Sequence, residues 1–170
     1  MSIGSPQSGR YTDLSFPSYR HRPGQTPHPR RDPQGHMYGR EELPCSPFDP
    51  SSWKTCPEYL FGVDLYNFAY YWEAHEVWEG LWKTTEKGGD AHRFLQGLIQ
   101  MAAALIKREQ KTVRGMRSLA RAGLGKLRSV SASRLTYCGV FLPEYIERME
   151  AILDPRREES LEPSICLDRL

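Results

Sequence analysis

The chain has no long apolar run. The longest uninterrupted one, Met101 to Ile106, falls far short of the roughly 20 residues that a bilayer-crossing helix needs, so no membrane partner is expected. It has no close cysteine pair either: Cys45, Cys56, Cys138 and Cys166 are scattered, and the first residues carry no apolar core of a secretory leader. Reduced thiols in a cytoplasm are the expectation. Charge excess is missing too, because 23 basic and 21 acidic residues leave only +2 at neutral pH, which gives no argument from net charge to a partner. No strand-like alternation or long internal repeat stands out.

What is present is unevenly distributed. Residues 1–57 hold ten of the thirteen prolines and three of the five histidines, with no period that would drive a helix or strand. Tyr11, Phe16, Tyr19, Tyr38, Phe48 and Trp53 recur through this segment like anchors. The expectation is an extended strap, partly polyproline II, lying on the body or on a second subunit, with the first dozen residues disordered. Residues 154–170 are polar with two prolines and are expected to be a loose tail.

Between them, residues 58–153 read as helices. Pro57 suits a first helical turn, and Leu60, Phe61, Asp64, Leu65 and Phe68 follow along one side up to a break at Asn67 to Tyr70. A second helix runs from Tyr71 to Thr84 and stops before Gly88 and Gly89. Asp90 is the expected N-cap of a third helix over 91–110. A fourth covers 112–128 and a last runs from Pro143 to Leu153. The fold class is therefore all-α, an antiparallel bundle of four to five helices behind a proline-rich N-terminal strap.

The chemistry concentrates in the second helix, where three tryptophans, three glutamates and a histidine lie between Tyr70 and Trp82. Ala74, Val77, Trp78, Leu81 and Trp82 share one face, and His75, Glu76, Glu79 and Lys83 the other. His75 and Glu79 are one turn apart and within reach of each other. One reading joins them to Gln96 or Gln100 of the third helix in a buried polar network. Another makes them metal ligands with Glu76 as base, in partial likeness to the zinc-binding H-E-x-x-H helix, with Asp64, Glu73 or His92 as third ligand. Arg93 and Lys107 would tune the carboxylates in a metal-free acid/base site. Trp72 lies on the polar side, so the strap or a second subunit must cover it. Zinc on His28, His36, Cys45 and Cys56 would need spacings that match no familiar finger.

Charge separates along the chain. From Lys107 to Arg134 nine basic residues face the single acid Glu109, and from Glu58 to Glu86 six acids face Lys83 alone. Arg114, Arg117, Arg121 and Arg128 could neutralise phosphates, although a solvated helix face explains them more simply.

The block Tyr71-Trp72-Glu73-Ala74-His75-Glu76 through Glu79 and Trp82, followed by Phe94-Leu95-Gln96-Gly97-Leu98-Ile99-Gln100, resembles the bacterial family catalogued as domain of unknown function 309, over about residues 59–127. The resemblance implies an all-α bundle with motif positions at Glu73, His75, Glu76, Glu79, Trp82, Gln96 and Gln100, and no established reaction. Ala69 stands where the resemblance implies glycine, which counts against a turn with a positive backbone angle there.

These observations point to a cytoplasmic helical binding or protein-interaction module. It is expected to be self-associating and to bind an unknown small molecule or protein through a semi-buried cluster of Glu73, His75, Glu79, Trp82, Arg93, Gln96, Gln100 and Lys107, without a cofactor. The alternative is a metal-dependent hydrolase with a divalent ion on His75 and Glu79 and Glu76 as base. A second alternative is nucleic-acid binding through the basic fourth helix.

Overall fold

The structure, a computed structural model, describes residues 9–41, 44–154, 156 and 162–168. Five helices form the body: α1 (Pro57–Asn67), α2 (Tyr71–Trp82), α3 (Asp90–Glu109), α4 (Val113–Ser131) and α5 (Leu142–Ile152). A 3-10 helix, Pro50–Thr55, precedes them. Among the described residues, no helix is long and apolar enough to cross a membrane. Helix α3 is central, packed on α2 at one side and α4 at the other, while α1 lies against α2 and α5 against α4.

Each close packing has a small residue behind it. At the α3–α4 crossing, a Cβ on Gly97 would meet Leu127 at 2.7 Å, and one on Gly123 would sit 3.1 Å from the Gly97 carbonyl. The body's largest fully buried side chain, Trp78, lies flat against Gly62 of α1, and its indole N–H donates to the Tyr59 carbonyl at 3.4 Å. Two buried tyrosines tie the far elements to α1. The Tyr66 and Tyr145 hydroxyls are 2.9 Å apart, and the Tyr59 hydroxyl donates to the Cys138 carbonyl at 2.8 Å.

Three local expectations are corrected. Ala69 adopts φ +65°, and the turn forms with alanine in place: the Tyr70 N–H reaches back to the Leu65 carbonyl at 2.8 Å and the Ala69 N–H to Tyr66 at 3.1 Å, the bond pair of a Schellman ending. Tertiary contacts on both sides outweigh the cost of about 1–2 kcal/mol for a left-handed alanine. Asp90 is the first residue of α3 and not its cap, which is Gly89. A short hairpin, β1 (Thr136–Tyr137) with β2 (Val140–Phe141), also occurs. Its strands are too short for an alternating pattern, and Cys138 (φ +45°) and Gly139 (φ +78°) make the turn.

The strap lies across α1 and α2 of its own body, beginning with Tyr11 and Phe16 and ending with Phe48 and Trp53 at the core. The expected disorder of the first dozen residues falls outside the described residues over 1–8 and is corrected at Tyr11 and Thr12, which hydrogen bonds to Asp64 hold in place. Within the expected loose tail, residues 162–168 are packed: Ile165 and Leu167 are buried, and Asn67 exchanges two hydrogen bonds with the Ile165 backbone at 2.8 and 2.9 Å.

Candidate functional site

Among the described residues, two acids of the body are buried, Asp64 on α1 and Glu73 on α2. A carboxylate taken out of water must be given donors, and the strap supplies them. Asp64 accepts from the backbone N–H groups of Tyr11 and Thr12 at 2.8 and 2.9 Å and from the Thr12 hydroxyl at 2.7 Å. The Arg10 guanidinium lies 3.8 Å away. Glu73 accepts the His21 N–H at 2.8 Å on Oε1, which also pairs with His36 Nε2 at 3.0 Å. Its Oε2 is buried with no hydrogen-bond partner. Burial pushes the Glu73 carboxyl above its ordinary range, and the hydrogen bonds from His36 and the His21 backbone offset this only in part.

Apolar and aromatic contacts fill the space between these acids. Phe16 inserts among Phe61, Phe68 and Tyr70 at centroid distances of 5.0–6.1 Å. Trp72 is enclosed edge-on by His21, His28 and His36 at 5.5, 5.7 and 6.4 Å. The strap therefore covers the tryptophan that α2 by itself would leave in water.

One turn further along α2, His75 Nδ1 stands 3.5 Å from Glu76 Oε1 and 3.9 Å from Glu79 Oε2. That nitrogen is buried and has no hydrogen-bond partner. Arg30 of the strap donates through Nε to Glu76 Oε2 at 3.0 Å, and Lys83 lies 3.3 Å from Glu79 Oε1. Burial acts to raise the Glu76 carboxyl, but His75 and Arg30 outweigh it and hold the group below the ordinary carboxylate range.

The glutamines do not join this cluster. Gln100 faces α4, where its Oε1 accepts from Lys126 Nζ at 3.1 Å, and Gln96 has no hydrogen bond among the described residues. Arg93 pairs with Asp90 at 3.5 Å and Lys107 donates to Gln110 at 3.1 Å. Trp82 stacks on His92 with centroids 4.7 Å apart, leaving its buried Nε1 unpartnered. Of the third ligands considered from sequence, Asp64 and Glu73 hold the strap, and His92 Nδ1 lies 3.0 Å from the Thr85 hydroxyl. Glu76, read as a base, lies beside His75 and Glu79 as a potential donor. The histidines and cysteines of the strap form no metal-sized group among the described residues; His75, Glu76 and Glu79 do, with donor atoms all within 4.8 Å.

The residues that sequence reasoning undervalued are Asp64 and Arg30. Asp64 carried a signal, since an acid set among Leu60, Phe61, Leu65 and Phe68 on one helix face must meet donors or stay costly to bury. Arg30 had none, because nothing local says which part of a strap meets which helix.

Fold and site together define an all-α domain that presents a histidine–glutamate helix beneath a strap of its own chain. Residues 59–119 match the family model described as "Domain of unknown function (DUF309)". The match takes in Asp64, Glu73, His75, Glu76 and Glu79, while the strap lies outside it. Comparison with curated proteins finds no match.

Proposed function

We propose that the domain is an interaction module whose α1–α2 face binds an extended, proline-rich segment, with residues 9–41 as its resident occupant. The observation that supports this is the use of the two buried acids: Asp64 and Glu73 take backbone N–H groups of Tyr11, Thr12 and His21. Sheet edges hold extended peptides by backbone capture with side chains in pockets, and proline-rich segments dock in aromatic-lined grooves; the α1–α2 face combines the two. Here Phe16 fills an aromatic pocket, three histidines surround Trp72, and Arg30 supplies the charge for Glu76. With free thiols at Cys56, Cys138 and Cys166, a reducing cytoplasmic setting suits the chain.

The experiment is to insert a protease site after Arg40, cleave the folded protein, and follow the two pieces by size exclusion. The strap is expected to stay bound after the cut and to be displaced by excess labelled peptide of residues 9–41. A strap that separates at once, leaving the body's melting curve unchanged, overturns the reading. Exchange of straps between copies would place a second chain's segment in the same groove and make the protein an oligomer.

A second reading rests on α4, where Arg114, Arg117 and Arg121 are exposed on one face with no acid partner among the described residues. Phosphate binding there would weaken linearly in log salt, losing about one unit of slope per arginine removed. No measurable oligonucleotide binding in 50 mM salt (on the order of the low-salt limit where such contacts are strongest) dismisses it.

A further inference from the structure

We propose that His75, Glu76 and Glu79 form a divalent-cation site on the outer side of α2, with His75 Nδ1, Glu76 Oε1 and Glu79 Oε2 as donors. All three donors come from one helix of the body, and the strap contributes only Arg30, which orients Glu76 from outside.

Orientation is the first argument. Each carboxylate has one oxygen beside a cation, Glu76 Oε2 by Arg30 at 3.0 Å and Glu79 Oε1 by the exposed Lys83 at 3.3 Å. Each turns its other oxygen toward the same nitrogen, at 3.5 and 3.9 Å. Ligating carboxylates in metal sites are commonly oriented through outer hydrogen bonds of this kind.

The second argument is the nitrogen itself. His75 Nδ1 is excluded from water and makes no hydrogen bond to either carboxylate, a costly condition for a polar atom that a bound ion would relieve. Were the ring simply a hydrogen-bond partner of Glu76 or Glu79, the pair would close to about 2.8 Å. The observed separations instead approach the edges of a tetrahedron: metal bonds of about 2.0–2.1 Å set neighbouring donors about 3.3–3.4 Å apart.

The donor set defines the ion. One imidazole and two carboxylates suit zinc and its first-row neighbours better than magnesium, which prefers oxygen alone and keeps its water. Three protein donors leave a fourth position open, and the half-burial of all three side chains lets solvent reach it. That position would take water or another oxygen ligand, the arrangement of reactive rather than closed structural zinc sites.

The test uses the full chain, stripped of metal and titrated with zinc chloride and, separately, with cobalt(II) and magnesium chloride at pH 7.5 (roughly a unit above the ordinary histidine pKa). One equivalent of zinc is expected, with a cobalt visible spectrum of low coordination number, no saturation by magnesium, and a rise in Tm that a chelator reverses. His75→Ala and the isosteric Glu79→Gln should each weaken zinc by more than about tenfold while keeping the wild-type circular dichroism. His28→Ala/His36→Ala should bind as wild type. Absence of saturable zinc binding overturns the proposal, as does stoichiometric binding that survives His75→Ala or is lost in the His28→Ala/His36→Ala variant. Strap release in the cleavage experiment with zinc binding intact would sink only the docking reading.

Discussion

Replacing Asp64 with alanine removes the acceptor that ties the start of the strap to α1. The side chain is 2% exposed and accepts three hydrogen bonds from Tyr11 and Thr12. Hydrogen bonds to a charged group are each worth about 1.5–3 kcal/mol, so a simple sum approaches about 5–9 kcal/mol. The sum is an upper bound, because the strap can peel away and give its N–H groups back to water. Arg10 adds little, being a partly exposed partner at 3.8 Å. The expected loss is about 3–5 kcal/mol, the range for breaking one side of a buried pair. A domain of this size is stable by only about 5–15 kcal/mol, so the effect should be visible in urea melts followed by tryptophan fluorescence. Trypsin cleavage at Arg20, which precedes His21, should speed up at the same time. Asp64→Asn should behave alike, since its amide turns a donor toward donors. Exposed Glu147→Ala should stay within about 0.5 kcal/mol. Asp64 variants that match Glu147→Ala in both assays would refute the claim that this acid holds the strap.

Three further outcomes follow from the geometry. Ala69→Gly should stabilise the protein by about 0.5–1 kcal/mol, because it relieves a left-handed alanine at the expense of greater chain freedom when unfolded; Tm should rise by about 1–4 °C, and a fall would mean the methyl group matters more than φ. Glu79→Ala, measured in chelator, should cost only about 0.3–0.5 kcal/mol, since the side chain is 33% exposed and its close partner is Lys83; a loss of several kcal/mol would restore the buried-network picture. His21 is held below its ordinary pKa first by burial and then by His28 and His36, so the docked strap favours the neutral ring. Its contribution is complete above about pH 6.5 and is lost as pH falls from there toward the lowered value. Strap proteolysis, normalised to an unfolded substrate at each pH, should accelerate in mild acid, and His21→Asn should flatten that dependence.

The helices were legible because their signals are local. Pro57 starts α1, glycines separate α2 from α3, and the apolar face of α3 repeats with the helical period, so a linear reading places the helix ends within a residue or two, apart from that of α4, which runs three residues past Arg128. The family motif marked α2 as the chemical centre, and His75 with Glu79 followed from the period of 3.6 residues alone.

What each polar group meets depended on the tertiary structure. Gln96 and Gln100 lie on the right helix but turn to the wrong side, because α3 is wedged between α2 and α4 and helix rotation is set by packing. Glu73 and Glu79 are six residues apart in one motif; one is buried under the strap while the other reaches water, a difference that no periodicity expresses. The strap's path had to come from three dimensions for the same reason. An extended proline-rich segment has no internal hydrogen bonds to announce its course, so its position is decided by the acids, aromatic rings and backbone donors that meet only after the helices have packed.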